Sequence, residues 1–288
     1  MKFLIVGSNG FIGCELMKCL DFFGIEKVGS SLADFPNNNQ ISGSIDKFYS
    51  QLKSSGISHA IITSSVTDYL ECEKGLHAVH INTVLVPELV INLLLKGIKV
   101  NYVSSNTVFG GNYLWPSEKH KKNPKIAYAE QKSIAEDKLL GTAKNLNMLD
   151  LLSITRMTKV VSREIAPFKF WLENISSQKI NQPFKDLIFA PITKKFAAEN
   201  LIRISIEDKS GIFHLSGEKN ISYYGFCKLL YSEMGISKNL INPIDSTSTN
   251  IERFYFPKWS GLGMRITNSI VGISPQPTQD VVRYLCAE

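Results

Sequence analysis

Two residues able to move a proton lie four apart in the stretch "NPKIAYAEQKSIAEDKLL", which begins at Asn123: Tyr128 and Lys132. In a helix, positions i and i+4 stack on one face. An ammonium beside a phenol favours the phenolate and lowers a pKa that is otherwise near ~10, which would make a tuned proton donor. A buried tyrosine next to a surface lysine gives the same spacing, so the pair needs support from the rest of the chain. Some comes from "VGSNGFIG", where Gly7, Gly10 and Gly13 follow an apolar run directly and open a helical pattern. The first glycine permits a tight turn, the second lets the backbone approach a pyrophosphate, and the third lets helix and strand pack closely. N–H groups at the helix start then attract phosphate. A turn used only for packing is the alternative reading.

The elements that must position these residues alternate along the first half. Strands are expected at 2–6, 26–31, 58–65, 98–105 and 149–155. Helices are expected at 11–24, 44–56, 70–96 and 125–145. Strict alternation implies right-handed βαβ units, hence an α/β fold with a Rossmann-type, doubly wound parallel sheet covered on both faces. Beyond residue 156 the alternation weakens. Helices are expected at 168–175, 194–208 and 222–235, a strand at 211–217, and irregular chain over 236–276. A last helix at 278–288 would take Thr278 as its cap. The expected division is a dinucleotide-binding domain over 1–156 and a smaller, mixed substrate-binding region over 157–288, with 185–217 returning to the first domain.

Composition sets the bounds. The chain has 288 residues, 44% hydrophobic and 20% charged, as soluble globular domains do. No segment reads as long and apolar enough to cross a bilayer: the richest run, from Ile81, is interrupted by Asn82, Pro87, Glu88 and Asn92. The start, "MKFLIVG", is too short in its apolar run for a signal peptide and reads as a first buried strand. Five scattered cysteines (Cys14, Cys19, Cys72, Cys227, Cys286) fit reduced thiols in a cytoplasmic protein. His77 and His80 have no ligand partner at metal spacing, and no metal site is expected. A net charge of +6 suits an anionic ligand, and no nucleic-acid motif accompanies it.

With these residues in hand, the chain resembles the extended short-chain dehydrogenase/reductase superfamily, and within it the dTDP-4-dehydrorhamnose reductase type of sugar-nucleotide 4-ketoreductase. The glycine turn is similar to that family's G-x-x-G-x-x-G, and "YAEQK" to its Y-x-x-x-K. "VSSNTVFGG" matches the strand-end motif that carries a catalytic Ser/Thr, which places Ser105 there. "HINTVL" places Asn82 at the family's helix asparagine. "WPSEKHKKNPKIAY" and "FAPITKKFAAENL" are similar to its loop before the tyrosine and to a later stretch. The resemblance implies catalysis by Ser105, Tyr128 and Lys132. It implies a nicotinamide dinucleotide held by Gly7, Asn9, Gly10, Phe11, Ile12, Gly13, Ser30, Ser31, Thr63, Ser64, Ser65 and Asn82, together with Tyr128 and Lys132. Trp115, Arg156 and Arg265 are the candidate substrate contacts.

Departures bear on specificity. The family's Asn-Ala-Ala-Ala becomes "ITSSV", and Asn106 and Thr107 replace an Asp and a Tyr. NAD enzymes usually carry an acidic residue at the end of the second strand, but Ser30 and Ser31 stand there. A 2′-phosphate would not be repelled, so the reading leans towards NADP(H) over NAD(H). The resemblance implies reduction of a nucleotide-linked 4-keto sugar for surface polysaccharide synthesis: Tyr128 gives the proton, Ser105 holds the oxygen, and Lys132 binds ribose and acidifies the tyrosine. It implies a small-molecule nucleotide-sugar partner, no nucleic acid and no membrane, and leaves a homodimer open. An epimerase or dehydratase of the same superfamily, and a non-catalytic dinucleotide-binding regulatory subunit, remain as alternatives.

Overall fold

A computed structural model describes residues 1–30, 56–249 and 257–287. Residues 44–55 of the helix expected at 44–56, and the candidate Ser31, lie outside these. The chain divides into two compact units. One comprises Met1–Ser105, Ala127–Arg156 and Ala198–Phe213; the other comprises Asn106–Ile126, Met157–Ala197 and His214–Glu288.

In the first unit, β1 (Lys2–Val6) leads through the glycine turn into α1 (Phe11–Phe22) and then β2 (Glu26–Ser30). β3 (His59–Ile62) is followed by a short helix, α2 (Tyr69–Lys74), and by α3 (Leu76–Leu95). β4 (Lys99–Ser105) and the helix α4 (Ala127–Asn145) come next, then β5 (Leu152–Met157). The parallel six-stranded sheet has the order β2-β1-β3-β4-β5-β9, where β9 is Gly211–Leu215. Phe3, Leu4, Ile5 and Val6 are fully buried, as are Ala60, Ile61 and Ile62 of β3, because a parallel strand covered on both faces needs apolar residues at every position. The doubly wound reading is therefore correct.

The expected single helix over 70–96 is broken. Asp68 caps α2, accepting a hydrogen bond from the Glu71 N–H at 2.8 Å, and the chain turns to extended geometry at Gly75 (φ −106°, ψ 114°) before α3 begins. Glycine lacks the helix propensity to carry a helix through. Within α3, Ile81–Leu85 winds as a π-helix. Contrary to the sequence reading, Leu76–Leu95 is long and apolar enough by length and composition to cross a bilayer. Its Val86, Leu89, Val90, Leu93 and Leu94 instead pack with Leu4, Val6, Ile62, Val100 and Leu139 in the core of the sheet.

The second unit holds β6 (Val160–Val161), α5 (Phe168–Ser176), β7 (Ile188–Phe189), β8 (Ile192–Thr193) and the start of α6 (Lys194–Ile206). After β9 come β10 (Ile221–Ser222), α7 (Tyr223–Glu233), α8 (Arg265–Val271) and α9 (Thr278–Cys286). β6 pairs with β8 in parallel and β7 with β10 antiparallel. An aromatic core gathers Phe168, Trp171, Phe189, Phe226 and Tyr231 with Val281 and Leu285. Two expectations need correction. The region 236–276 contains the helix α8, and Thr278 is not a cap. Pro277 holds the cap position of α9, and the Glu218 carboxylate accepts from the Thr278 N–H at 3.0 Å. A carboxylate distant in sequence thus does what a local side chain was expected to do.

Candidate active site

The glycine turn takes its shape from contacts that only glycine allows. Gly7 has φ +92°, and a Cβ there would lie 2.6 Å from Thr63 Oγ1. A Cβ on Gly13 would lie 1.9 Å from the Gly7 carbonyl oxygen. A Cβ on Gly10 would meet, among the described residues beyond its chain neighbours, only that same carbonyl within 4 Å, at 3.2 Å, so this side of the turn is open. The Ser30 carbonyl fixes the turn by accepting from the N–H groups of Gly7 (2.7 Å) and Ser8 (3.0 Å). Among the described residues no side chain caps α1 at Gly10, and a helix start of that kind favours an anion. Asn9 is exposed, and Phe11 and Ile12 are half-buried beside it.

The hydroxyls after β3 have distinct duties. Thr63 donates to the carbonyls of Val6 (3.0 Å) and Gly7 (3.3 Å). Ser65 donates to Asn82 Oδ1 at 2.9 Å. Ser64 Oγ is buried and has no partner among the described residues, which is the kind of orphan a ligand would satisfy. Among the described residues, the glycine turn, the helix start without a side-chain cap and the buried Ser64 hydroxyl without a partner fit a dinucleotide's phosphates.

Of the three expected catalytic residues, Ser105 and Tyr128 are brought into contact, and Lys132 follows on the same helix. Ser105 ends β4, Tyr128 is the second residue of α4, and their hydroxyls are hydrogen-bonded. Lys132 lies one turn on, 3% exposed. Its electrostatics differ from expectation. Lys132 Nζ donates to Tyr102 Oη (3.2 Å) and the Val103 carbonyl (3.0 Å), and lies 4.7 Å from the centroid of the Tyr102 ring. The ammonium is thus turned to β4. Burial pushes Tyr128 above the ordinary tyrosine value, reinforced by Tyr69 and Cys72 and opposed by the Ser105 hydrogen bond. The phenol is a firmly held proton rather than an acidified one. Burial lowers Lys132 to about 8, against the raising influence of Glu136.

Asn82, at 2% exposure in the π-turn of α3, is fully committed. Its Oδ1 accepts from Ser65 Oγ and the Val66 N–H, both at 2.9 Å; its Nδ2 donates to the Val66 carbonyl (2.9 Å) and to Gln131 Oε1 (2.7 Å). It ties the loop after β3 to α4, and its place in a π-turn accords with the concentration of such turns at functional sites.

Arg156 is corrected as a substrate contact. It is 2% exposed and forked onto Glu136, with Nε at 3.0 Å from Oε1 and Nη2 at 2.7 Å from Oε2, while Ser104 donates to the same Oε1 at 2.6 Å. A guanidinium so engaged holds β4, β5 and α4 together. In the second unit, Trp115 stands at φ +53°, in the left-handed region, with its ring so close over Gly261 that a Cβ there would lie 2.1 Å from Cζ3. Arg265 opens α8 and is exposed. Sequence reasoning missed Tyr69, Tyr102, Gln131 and Glu136. The signal for Glu136 was its spacing, one further turn beyond Lys132 on the same face.

A family model, the RmlD substrate binding domain, matches residues 1–288. The chain belongs to that family. Membership places it, as an RmlD-like protein, in the extended short-chain dehydrogenase/reductase superfamily of NAD(P)-dependent enzymes. The fold is similar to that of a dTDP-4-dehydrorhamnose reductase from Clostridium acetobutylicum (TM-score 0.82, 20% identity, 99% of each chain). It is similar, too, to the Bacillus anthracis dTDP-4-dehydrorhamnose reductase solved with NADP (0.82, 18%, 99% of this chain and 98% of that one). A UDP-N-acetylglucosamine 4-epimerase from Bacillus cereus shares the RmlD-like fold as well (0.78, 14%, 99% and 98%). No curated protein matches the chain.

Proposed function

We propose that this RmlD-like chain is an NAD(P)H-dependent reductase of a nucleotide-linked 4-keto sugar. The observation that carries the reading is the hydrogen-bonded Ser105–Tyr128 pair, placed by β4 and α4 in the same unit as an open glycine turn. A nicotinamide dinucleotide bound at Gly7, Gly10, Gly13 and Ser64 supplies the hydride. Ser105 holds the ketone oxygen by hydrogen bond, and Tyr128 gives it a proton as negative charge develops there. With its pKa raised by burial, Tyr128 is in the protonated, donor form at neutral pH, and as a weak acid it gives up the proton only as negative charge develops on the ketone oxygen. Lys132 holds the adjoining edge of β4 through the Val103 carbonyl.

The cofactor is read as NADP(H): β2 ends at Ser30, whose carbonyl braces the turn, and the sequence has Ser30 and Ser31 there in place of the carboxylate that would repel a 2′-phosphate. The enzyme works in the cytoplasm on small molecules, without nucleic acid or membrane, as one step in assembling a surface polysaccharide. Mixing the protein with NADPH and a panel of nucleotide 4-keto sugars, while following absorbance of the reduced cofactor, tests the reading. Net consumption of NADPH is expected. Sugar conversion without net consumption would favour epimerisation, the chemistry named for the Bacillus cereus protein of similar fold. Binding without turnover would favour a regulatory subunit.

A further inference from the structure

Tyr128 sits at the second position of α4, the part of a helix most prone to fray, because its first N–H groups have no partner within the helix. That end is held from outside the helix, by α2. Glu73 Oε1 accepts from the Ala127 N–H at 3.0 Å, across 54 residues of sequence. One turn along, the Cys72 carbonyl accepts from Gln131 Nε2 at 3.1 Å. Beside these, the Tyr69 ring lies against the Tyr128 ring, with centroids 5.6 Å apart and planes inclined by 31°. Gln131 in turn accepts from Asn82, so the contacts continue into the π-turn of α3. Three successive features of one short helix therefore grip the first turn of another, and that turn carries the phenol.

We propose that α2 is a clamp on the start of α4, and that Glu73 is a positioning residue for Tyr128. The carboxylate does two things there. It satisfies an N–H that would otherwise compete for water, and its negative charge meets the positive end of the α4 dipole. With the Ala127 amide fixed, the next residue inherits one backbone geometry, and the Tyr69 ring limits where the phenol can swing. Glu73 is itself exposed and Asp68 caps α2 independently, so replacing Glu73 removes the contact without opening the core. The inference rests on the reading of Tyr128 as the proton donor, but the clamp can be observed without catalysis.

The test compares the parent protein with Glu73→Ala and Glu73→Gln, the latter keeping an acceptor oxygen at the same reach. Backbone hydrogen exchange at Ala127, followed by NMR, is expected to quicken about 5-fold in Glu73→Ala and to change by less than about 2-fold in Glu73→Gln, as loss of a helix cap predicts. With NADPH and a reducible 4-keto sugar, kcat is expected to fall about 5–20-fold in Glu73→Ala while the KM for NADPH holds, and Glu73→Gln is expected to restore most of it. Unchanged exchange at Ala127 in Glu73→Ala overturns the clamp. So does a Gln variant as impaired as the Ala variant, or a loss carried by KM alone. If the parent protein reduces no 4-keto sugar, the exchange result still decides the clamp, and the failure counts against the proposed reaction alone.

Discussion

Burial of the Lys132 ammonium is offset by its hydrogen bonds to Tyr102 and the Val103 carbonyl, and the residual cost shows in its lowered pKa of about 8. Below about pH 8 the lysine is protonated in both the folded and the unfolded chain, so the folded state bears the full desolvation. Between about 8 and the ordinary 10.5, the folded chain has released a proton that the unfolded chain retains, and stability from this group rises with pH. Urea unfolding should therefore find Lys132→Met more stable than the parent at pH 7, by roughly 1–3 kcal/mol, with the gap closing towards pH 10.5. A gap independent of pH would contradict the burial account. Arg156 makes a second case. If it serves only to neutralise Glu136, Arg156→Met should destabilise by about 3–5 kcal/mol, because it strands a buried carboxylate. Glu136→Gln combined with Arg156→Met should recover much of that loss in the same unfolding assay.

Among the elements, the glycine turn, β4 and α4 do most to assemble the site. Gly13→Ala would drive a methyl into the Gly7 carbonyl. The expected result is a loss on the order of 1–3 kcal/mol in unfolding free energy together with loss of NADPH binding by fluorescence titration. These elements were legible in the sequence because their signals are local: apolar runs for buried strands, and a glycine triplet between strand and helix. Asn82 was visible by its place in the chain, but its π-turn and its hydrogen bonds to Ser65, Val66 and Gln131 were not. What stayed hidden depends on pairing between distant residues. Glu218 takes the start of α9 from Thr278, and Glu73 holds the start of α4. The direction of the Lys132 ammonium was set by a carbonyl and a tyrosine of β4, which no i,i+4 spacing reports.

For the molecule as a whole, the parallel sheet covered on both faces was legible in the alternation of strand and helix, whereas its strand order β2-β1-β3-β4-β5-β9 was not, and the RmlD-like likeness rested on the motifs. The second unit was legible only in its larger helices; its strands of two residues each are too short to leave a pattern. A ligand that binds only the folded chain raises its apparent stability, by about 2.7 kcal/mol at a hundred times Kd. NADPH should accordingly raise Tm by several degrees, and NADH by less if Ser30 marks an NADP site. The central claim is proton donation by Tyr128. Single-turnover stopped-flow absorbance, with NADPH-loaded protein mixed with a 4-keto sugar nucleotide, measures it most directly. Tyr128→Phe is expected to bind NADPH as the parent does and to oxidise it about 10²–10⁴-fold more slowly. Oxidation by the Phe variant at the parent's rate would contradict the account.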